Sequence, residues 1–500
     1  MPFLFYHRHF IPFPLEICKF AKVYLVREIE FSNGVYSKVF QICQSSVISH
    51  KSIKDLSFLQ LIAYSTSLSV NSCYGMITFV KFLLSLAILI RPLFCGMAEP
   101  SSNWLILIIL GAALGIHLIK RRESLRSGLD LPLSFFGLSL LISLIISKGK
   151  GFEILSQFLA CFIIFYLVIS CQPKEKTIRA VLLFSGILVS LYAIYQKFWG
   201  LSETRRFIEM YQLGGEFMSR ASSRVFSTFM YPNSLAGYLI LILPLSISKR
   251  TWPITLLYLY ALYLSGSRGG FVSLIFMFFL FLLMKAKRLA YLWSILSLVL
   301  LIHLLTPIPG SVKARFDYWK TSLVIIKEHP LGVGLSEFGN AYVRYKPPLT
   351  EETKNAHNGF LQIGVEAGVF GLVSYLWLTF CFLQKGWRVA KERNDLRPYY
   401  LGAFSFFIHS SLDFDLYIPG ISLLSFLFLG LVFEPEKKNV PTSTKSHSNA
   451  NCVGFVYGSS NVSDNTLSSP PPSRLVIILN ATPYQSLRQY KEPLYRPWSV

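Results

Sequence analysis

His357 opens an apolar run at the end of the polar stretch that contains Arg315 and His329. A hydrated imidazole titrates near neutral pH and exchanges protons with hydroxyl groups, so His357 is a candidate general base. The competing reading is an interfacial histidine that caps a helix together with Asn358. Arg268 lies in the turn Ser265-Gly266-Ser267-Arg268-Gly269-Gly270. Its planar fork of donors suits a phosphate or diphosphate, and the flanking glycines allow close backbone approach. The alternative is an arginine that snorkels into lipid headgroups at a helix end. Arg224 precedes a helix entry at Pro232-Asn233 and shares its loop with Arg205, Arg206 and Arg220. Such a loop either guides an anionic lipid headgroup or lies among headgroups.

Arg315, with Tyr318-Trp319, reads first as part of an interfacial aromatic helix, and the arginine is a further candidate to face a site. In His329-Pro330-Leu331-Gly332-Val333-Gly334, proline and two glycines dictate backbone direction, so a loop-shaping turn outweighs a second base. Glu366 falls nine residues after His357, about 13 Å along a helix at 1.5 Å per residue, where an ionisable group must be paired or face a cavity. Structural pairing is the expected role. His409 and Asp413 have the i, i+4 spacing of a metal pair, and Asp413-Phe414-Asp415 has the form of a nucleotide-sugar motif. The remaining histidines offer no complementary ligand spacing, so no metal site is expected.

The elements that must position these groups are membrane helices. The chain has 500 residues, of which 53% are hydrophobic, 15% aromatic and only 15% charged, and its mean hydropathy is +0.48. That balance excludes an ordinary soluble enzyme of this length and predicts an all-α polytopic membrane protein. The net charge of +22 sits in short runs between apolar segments, which points to membrane orientation and not to a nucleic-acid partner. Apolar runs near spanning length predict twelve transmembrane helices, at about 76–95, 103–119, 130–147, 152–171, 178–197, 234–248, 252–266, 269–284, 289–306, 358–383, 399–413 and 418–434.

Alternate connections collect Lys120 to Arg126, Lys174 to Arg179, Lys249-Arg250, Lys285 to Arg288 and Lys385 to Arg397. The positive-inside rule puts these loops, and both termini, in the cytoplasm. The opposite set then faces out: Arg268, the Asp413-to-Pro419 turn, a loop at about 198–233, and a large loop at about 307–357 between the ninth and tenth spans. Residues 1–75 mix aromatic and basic residues and read as an N-terminal extension, while the tail from 435 to 500 is rich in Ser, Asn, Thr and Pro and reads as a polar, disordered cytoplasmic tail. The eight cysteines show no C-x-x-C spacing and imply neither a disulfide framework nor a metal site.

In order along residues 76–434, the Ser265–Gly270 turn, Arg315-Phe316-Asp317-Tyr318-Trp319, His329–Gly334, His357-Asn358-Gly359-Phe360-Leu361-Gln362 with Glu366–Gly371, and His409 through Pro419 together resemble the O-antigen ligase and polymerase superfamily. The resemblance implies a metal-independent, inverting glycosyltransferase in the bacterial inner membrane that needs no cofactor. Its donor would be a glycan carried on undecaprenyl diphosphate, and its acceptor lipid A-core or another glycan. Related members modify proteins. By motif position, His357 would be the base that activates the acceptor hydroxyl, and Arg268, Arg224 and Arg315 would hold the diphosphate. A reading from another class is a transporter of an anionic lipid-linked sugar; the sequence shows no convincing internal repeat of the kind transporters carry, and the polar residues gather at one face.

Overall fold

The computed structural model describes residues 73–93, 100–120, 127–203, 224–229, 231–286, 310–348 and 350–433, with isolated positions at 206, 288–290, 293, 296 and 297. All of them belong to a single compact unit spanning residues 1–438. The expected extension before residue 73, the tail after 433, Arg205, Arg220 and most of the ninth span lie outside the described residues.

Among the described residues the fold is all-helical, without strands. The helices are α1 (Cys73–Leu93), α2 (Pro100–Lys120), α3 (Asp130–Ile146), α4 (Phe152–Cys171), α5 (Glu175–Tyr195), α6 (Pro232–Ser246), α7 (Trp252–Ser265), α8 (Arg268–Lys285), α9 (Gly310–Glu328), α10 (Phe338–Tyr345), α11 (Gly359–Glu392), α12 (Arg397–Ser410) and α13 (Pro419–Val432). Apart from the ninth, each expected span coincides with one of these helices. Among the described residues, four helices are long and apolar enough to cross a membrane: α4, α5 with its extension to Glu203, α8 and α11. Shorter apolar helices accompany them, and the chain is a membrane protein. The large polar loop forms α9 and α10, which pack on each other through Tyr318, Ile325, Phe338, Ala341 and Tyr342.

Local sequence sets the helix starts. Proline stands in the first turn of α6, α7, α12 and α13, where its missing N–H costs no helical hydrogen bond. Ser267 caps α8 by accepting from the Gly270 amide at 3.2 Å, and Asn358 caps α11 by accepting from Phe360 and Leu361, both at 3.0 Å. At the centre stands α6, whose residues from Ser234 to Ser246 are all buried. Lipid tails are as apolar as this core, so packing and interhelical hydrogen bonds hold it, the latter contributing on the order of 1 kcal/mol each. Tyr238 donates to Ser185 at 2.9 Å and Gln157 to Ser422 at 2.8 Å.

Contacts sort the helix ends into two groups. At one end the turn after α3 meets the 329–337 segment through Lys150 and Glu337 at 2.8 Å, Thr228 donates to the Pro92 carbonyl at 2.8 Å, and the Gly359 amide donates to the Asp413 carbonyl at 3.1 Å. At the other end Lys385 reaches the Gly128 carbonyl at 3.0 Å, Lys285 reaches Asn394 at 3.5 Å and Arg179 binds the Leu245 carbonyl.

Near its start α11 is broken. Gly368 has φ +71° and ψ −171°, a conformation that essentially only glycine adopts. The His329–Gly334 segment fills the gap: the Val333 and Gly334 amides donate to the carbonyls of Val365 and Glu366 at 2.9 and 3.0 Å, and the Val369 amide donates to the Pro330 carbonyl at 2.9 Å. A Cβ on Gly332 would lie 2.4 Å from the Glu366 carbonyl oxygen, so the backbones meet only because no side chain intervenes. The segment is therefore the loop-shaping turn that its proline and glycines predict. Glu366 is buried and paired as expected, accepting from Tyr417 and Gln362, both at 3.0 Å.

Candidate active site

Three chain segments far apart in sequence deliver the site to one end of the bundle. His357 immediately precedes the cap of α11, Asp413 lies in the turn after α12, and Asn233 lies in the first turn of α6. The residues after His357 hold it in place. Asn358 caps the helix, Gly359 passes close to Ser410, and Gln362 accepts from the Ala356 amide at 2.7 Å. His357 itself has φ +48°, an unfavourable left-handed conformation for a residue with a side chain. The Trp319 indole donates to its carbonyl at 3.3 Å. Tyr318 stacks on the imidazole at 5.8 Å and Phe414 meets it edge-on at 5.0 Å.

Asp413 is the hub. Its Oδ1 lies 3.1 Å from His357 Nδ1 and accepts from the Phe414 amide at 2.9 Å. Its Oδ2 accepts from Arg315 Nη2 at 3.0 Å and from Asn233 Nδ2 at 2.6 Å. Burial alone would raise the carboxyl pKa, but the His357 imidazole and the Arg315 guanidinium outweigh it and hold the group well below the usual carboxylate range. An ionised carboxylate only accepts, so His357 Nδ1 must carry the proton. In the neutral imidazole the lone pair is then on Nε2, which makes no hydrogen bond among the described residues. The His357 side chain is 28% exposed against 5% for that of Asp413, so the imidazole is reachable while its partner is not.

Arg224 extends the network. Its Nη2 donates to Asn233 Oδ1 at 2.8 Å, which fixes the amide so that Nδ2 faces Asp413, and its Nε donates to the Ser265 carbonyl at 2.8 Å. Burial lowers its pKa, Asp413 counteracts this, and the nearby Arg315 and Arg268 lower it further, so both guanidinium groups act on Arg224. Arg268 is exposed and has no hydrogen bond or ion pair among the described residues. Arg315 binds Asp413 directly and Arg224 reaches it through Asn233, an arrangement able to accept a hydroxyl proton at Nε2 and hold an anion next to it.

All four residues expected from sequence, His357, Arg268, Arg224 and Arg315, thus gather at one site. Sequence reasoning did not assign Asp413 as the partner that orients His357, nor Asn233 as its support. The available signal was that charge parity places the Asp413 turn on the same side as His357. His409 and Asp413 do not form the pair their spacing suggested: His409 Nδ1 instead bonds Asp415, and both are fully buried. No group of three or more His, Cys, Asp or Glu positioned to hold a metal ion occurs among the described residues.

Residues 253–376 match the family model described as O-antigen ligase. The match supports the O-antigen ligase superfamily for that segment of the chain. The matched segment runs from α7 to the middle of α11 and includes Arg268, Arg315 and His357, while Arg224, Asn233 and Asp413 fall outside it. A protein of Haemophilus influenzae described as uncharacterized is 26% identical over 287 residues, covering 48% of this chain and 68% of the relative.

Proposed function

We propose that the chain is a membrane-embedded, inverting glycosyltransferase that moves a glycan from undecaprenyl diphosphate to an acceptor hydroxyl on lipid A-core or another glycan. The reading places twelve spans in the bacterial inner membrane, both termini in the cytoplasm, and the site with the 307–357 loop on the periplasmic face. The observation that carries it is the His357–Asp413 pair, 3.1 Å apart, beside Arg268, Arg224 and Arg315.

In this mechanism His357 Nε2 takes the acceptor hydroxyl proton as the oxygen attacks the anomeric carbon. The bond from that carbon to the diphosphate oxygen breaks with inversion, and the electron pair leaves with the undecaprenyl diphosphate. Asp413 holds the imidazole in the basic tautomer and balances the charge it gains. The arginines stabilise the negative charge developing on the diphosphate, which makes a metal ion unnecessary.

The test is reconstitution with a lipid-linked oligosaccharide and candidate acceptors, followed by measurement of released undecaprenyl diphosphate. Release that His357→Ala and Arg268→Ala abolish, in proteins that still insert and fold, supports the reading. Carrier movement across the bilayer without release overturns it in favour of a transporter. Use of lipid A-core, a second carrier-linked glycan or a protein as acceptor distinguishes ligase, polymerase and protein O-oligosaccharyltransferase.

A further inference from the structure

A second polar feature lies away from His357, at the other end of α9. Arg315 and His329 are fourteen residues apart, about 21 Å along a helix. Around His329 opens a cleft of about 550 Å³ whose lining includes Ile146, His329, Glu337, Asn340, Arg344 and Tyr345. His329 Nε2 lies 2.9 Å from the Tyr345 hydroxyl, which fixes one wall. Glu337 is already neutralised, by Lys150 at 2.8 Å, and accepts from Asn340 at 2.7 Å. Arg344 is exposed and makes no hydrogen bond or ion pair among the described residues. With Lys150 and Glu337 cancelling, Arg344 leaves the cleft cationic.

What lies beneath the cleft indicates its occupant. Ile146 is the last residue of an exposed apolar stripe on α3, formed by Leu131, Phe135, Leu138 and Ile142 at three- and four-residue spacing. Phe135 contacts Phe370 at 5.9 Å and Trp377 at 5.8 Å, both exposed on the adjoining face of α11. A two-helix apolar face thus leads up to a cationic cleft at the end of the bundle. A soluble anion would use the cleft alone, whereas a molecule with a phosphate head and hydrocarbon tails matches both parts.

We propose that this cleft holds the phosphate-bearing head group of an anionic membrane lipid, whose acyl chains lie along α3 and α11. The site rests on the membrane reading of the chain and is independent of glycan transfer at His357.

The full-length protein in nanodiscs of phosphatidylcholine with a minor fraction of phosphatidylglycerol provides the test, with retained lipid counted by native mass spectrometry after extraction into detergent. The wild type is expected to retain phosphatidylglycerol preferentially. Arg344→Ala should reduce that preference about tenfold, the loss of one charge-assisted hydrogen bond, and Asn340→Trp should reduce it by filling the cleft. His357→Ala should leave it unchanged. Stronger retention of a phosphorylated glycolipid than of phosphatidylglycerol would also support the site and name its preferred source. Equal retention by wild type and Arg344→Ala in proteins of unchanged melting temperature overturns the proposal, as does equal retention of phosphatidylcholine, or occupancy by glycerol 3-phosphate in solution as strong as that by the lipid.

Discussion

His357 and Asp413 are separated by 56 positions in the chain and joined by a 3.1 Å contact between Nδ1 and Oδ1. The contact fixes which imidazole nitrogen is available, because the carboxylate can only accept. Asp413→Asn removes that constraint while preserving shape. Transfer is expected to fall about a hundredfold to ten-thousandfold, the range general base catalysis supplies, with little change in substrate binding. Single-turnover kinetics in proteoliposomes would measure this, and an Asp413→Asn rate within a factor of two of wild type would remove Asp413 from the mechanism.

Asp413 also links stability to pH. Its folded pKa is depressed, with burial opposed and outweighed by His357 and Arg315, against an unfolded value of about 3.9. The stabilisation is therefore complete above that value and is lost as pH falls toward the folded pKa. Melting curves of wild type and Asp413→Asn should differ most near neutrality and converge on acidification below about pH 4. A gap that widens on acidification contradicts the assignment.

The arginines should separate by their bonding. Arg268 makes no hydrogen bond or ion pair among the described residues, so Arg268→Ala is expected to lower activity without moving the melting temperature. Arg224 holds both the Ser265 carbonyl and Asn233, at 2.8 Å each. Arg224→Ala should lower activity and melting temperature together, since it leaves the half-buried Asn233 amide and the carbonyl of buried Ser265 without this donor, at up to about 1–3 kcal/mol per group. Parallel activity and thermal-shift measurements decide the point.

Gly368→Ala tests the break in α11. Its φ of +71° strains any side chain, at a cost of about 1–3 kcal/mol, and an added Cβ would lie 2.4 Å from the Pro330 carbonyl oxygen. A clear drop in melting temperature with lowered transfer is expected, although the residue is remote from the proposed diphosphate. Wild-type stability would show that the break can be remodelled.

Charge neutralisation by guanidinium groups predicts that transfer persists in excess EDTA. Loss of activity on chelation, restored by a divalent cation, would replace this account with a metal-assisted one.

The legible part of this protein was whatever local pattern controls. Apolar runs of spanning length gave α4, α5, α8 and α11, and the glycines and proline of His329–Gly334 gave a turn in place of a base. The arginines and His357 were identifiable because charged or polar groups stand out in an apolar chain. What remained hidden depends on where distant turns meet. Nothing near Asp413 announces that its two oxygens reach His357, Arg315 and Asn233, and its i−4 spacing from His409 suggested a different partner. Gly368 was equally silent, since a glycine in an apolar run does not reveal that another segment's backbone will replace the helical hydrogen bonds there.

The nine-residue piece Gly359–Ala367 that follows His357 is secured at both ends, by the Asp413 carbonyl at the first and by the Val333 and Gly334 amides at the second. It behaves as a splint, unable to swing without breaking bonds in two separate turns. A base mounted this way does not travel to its substrate. In the proposed mechanism the donor and acceptor must instead be brought into register with it, so the moving parts of the cycle are expected in the substrates.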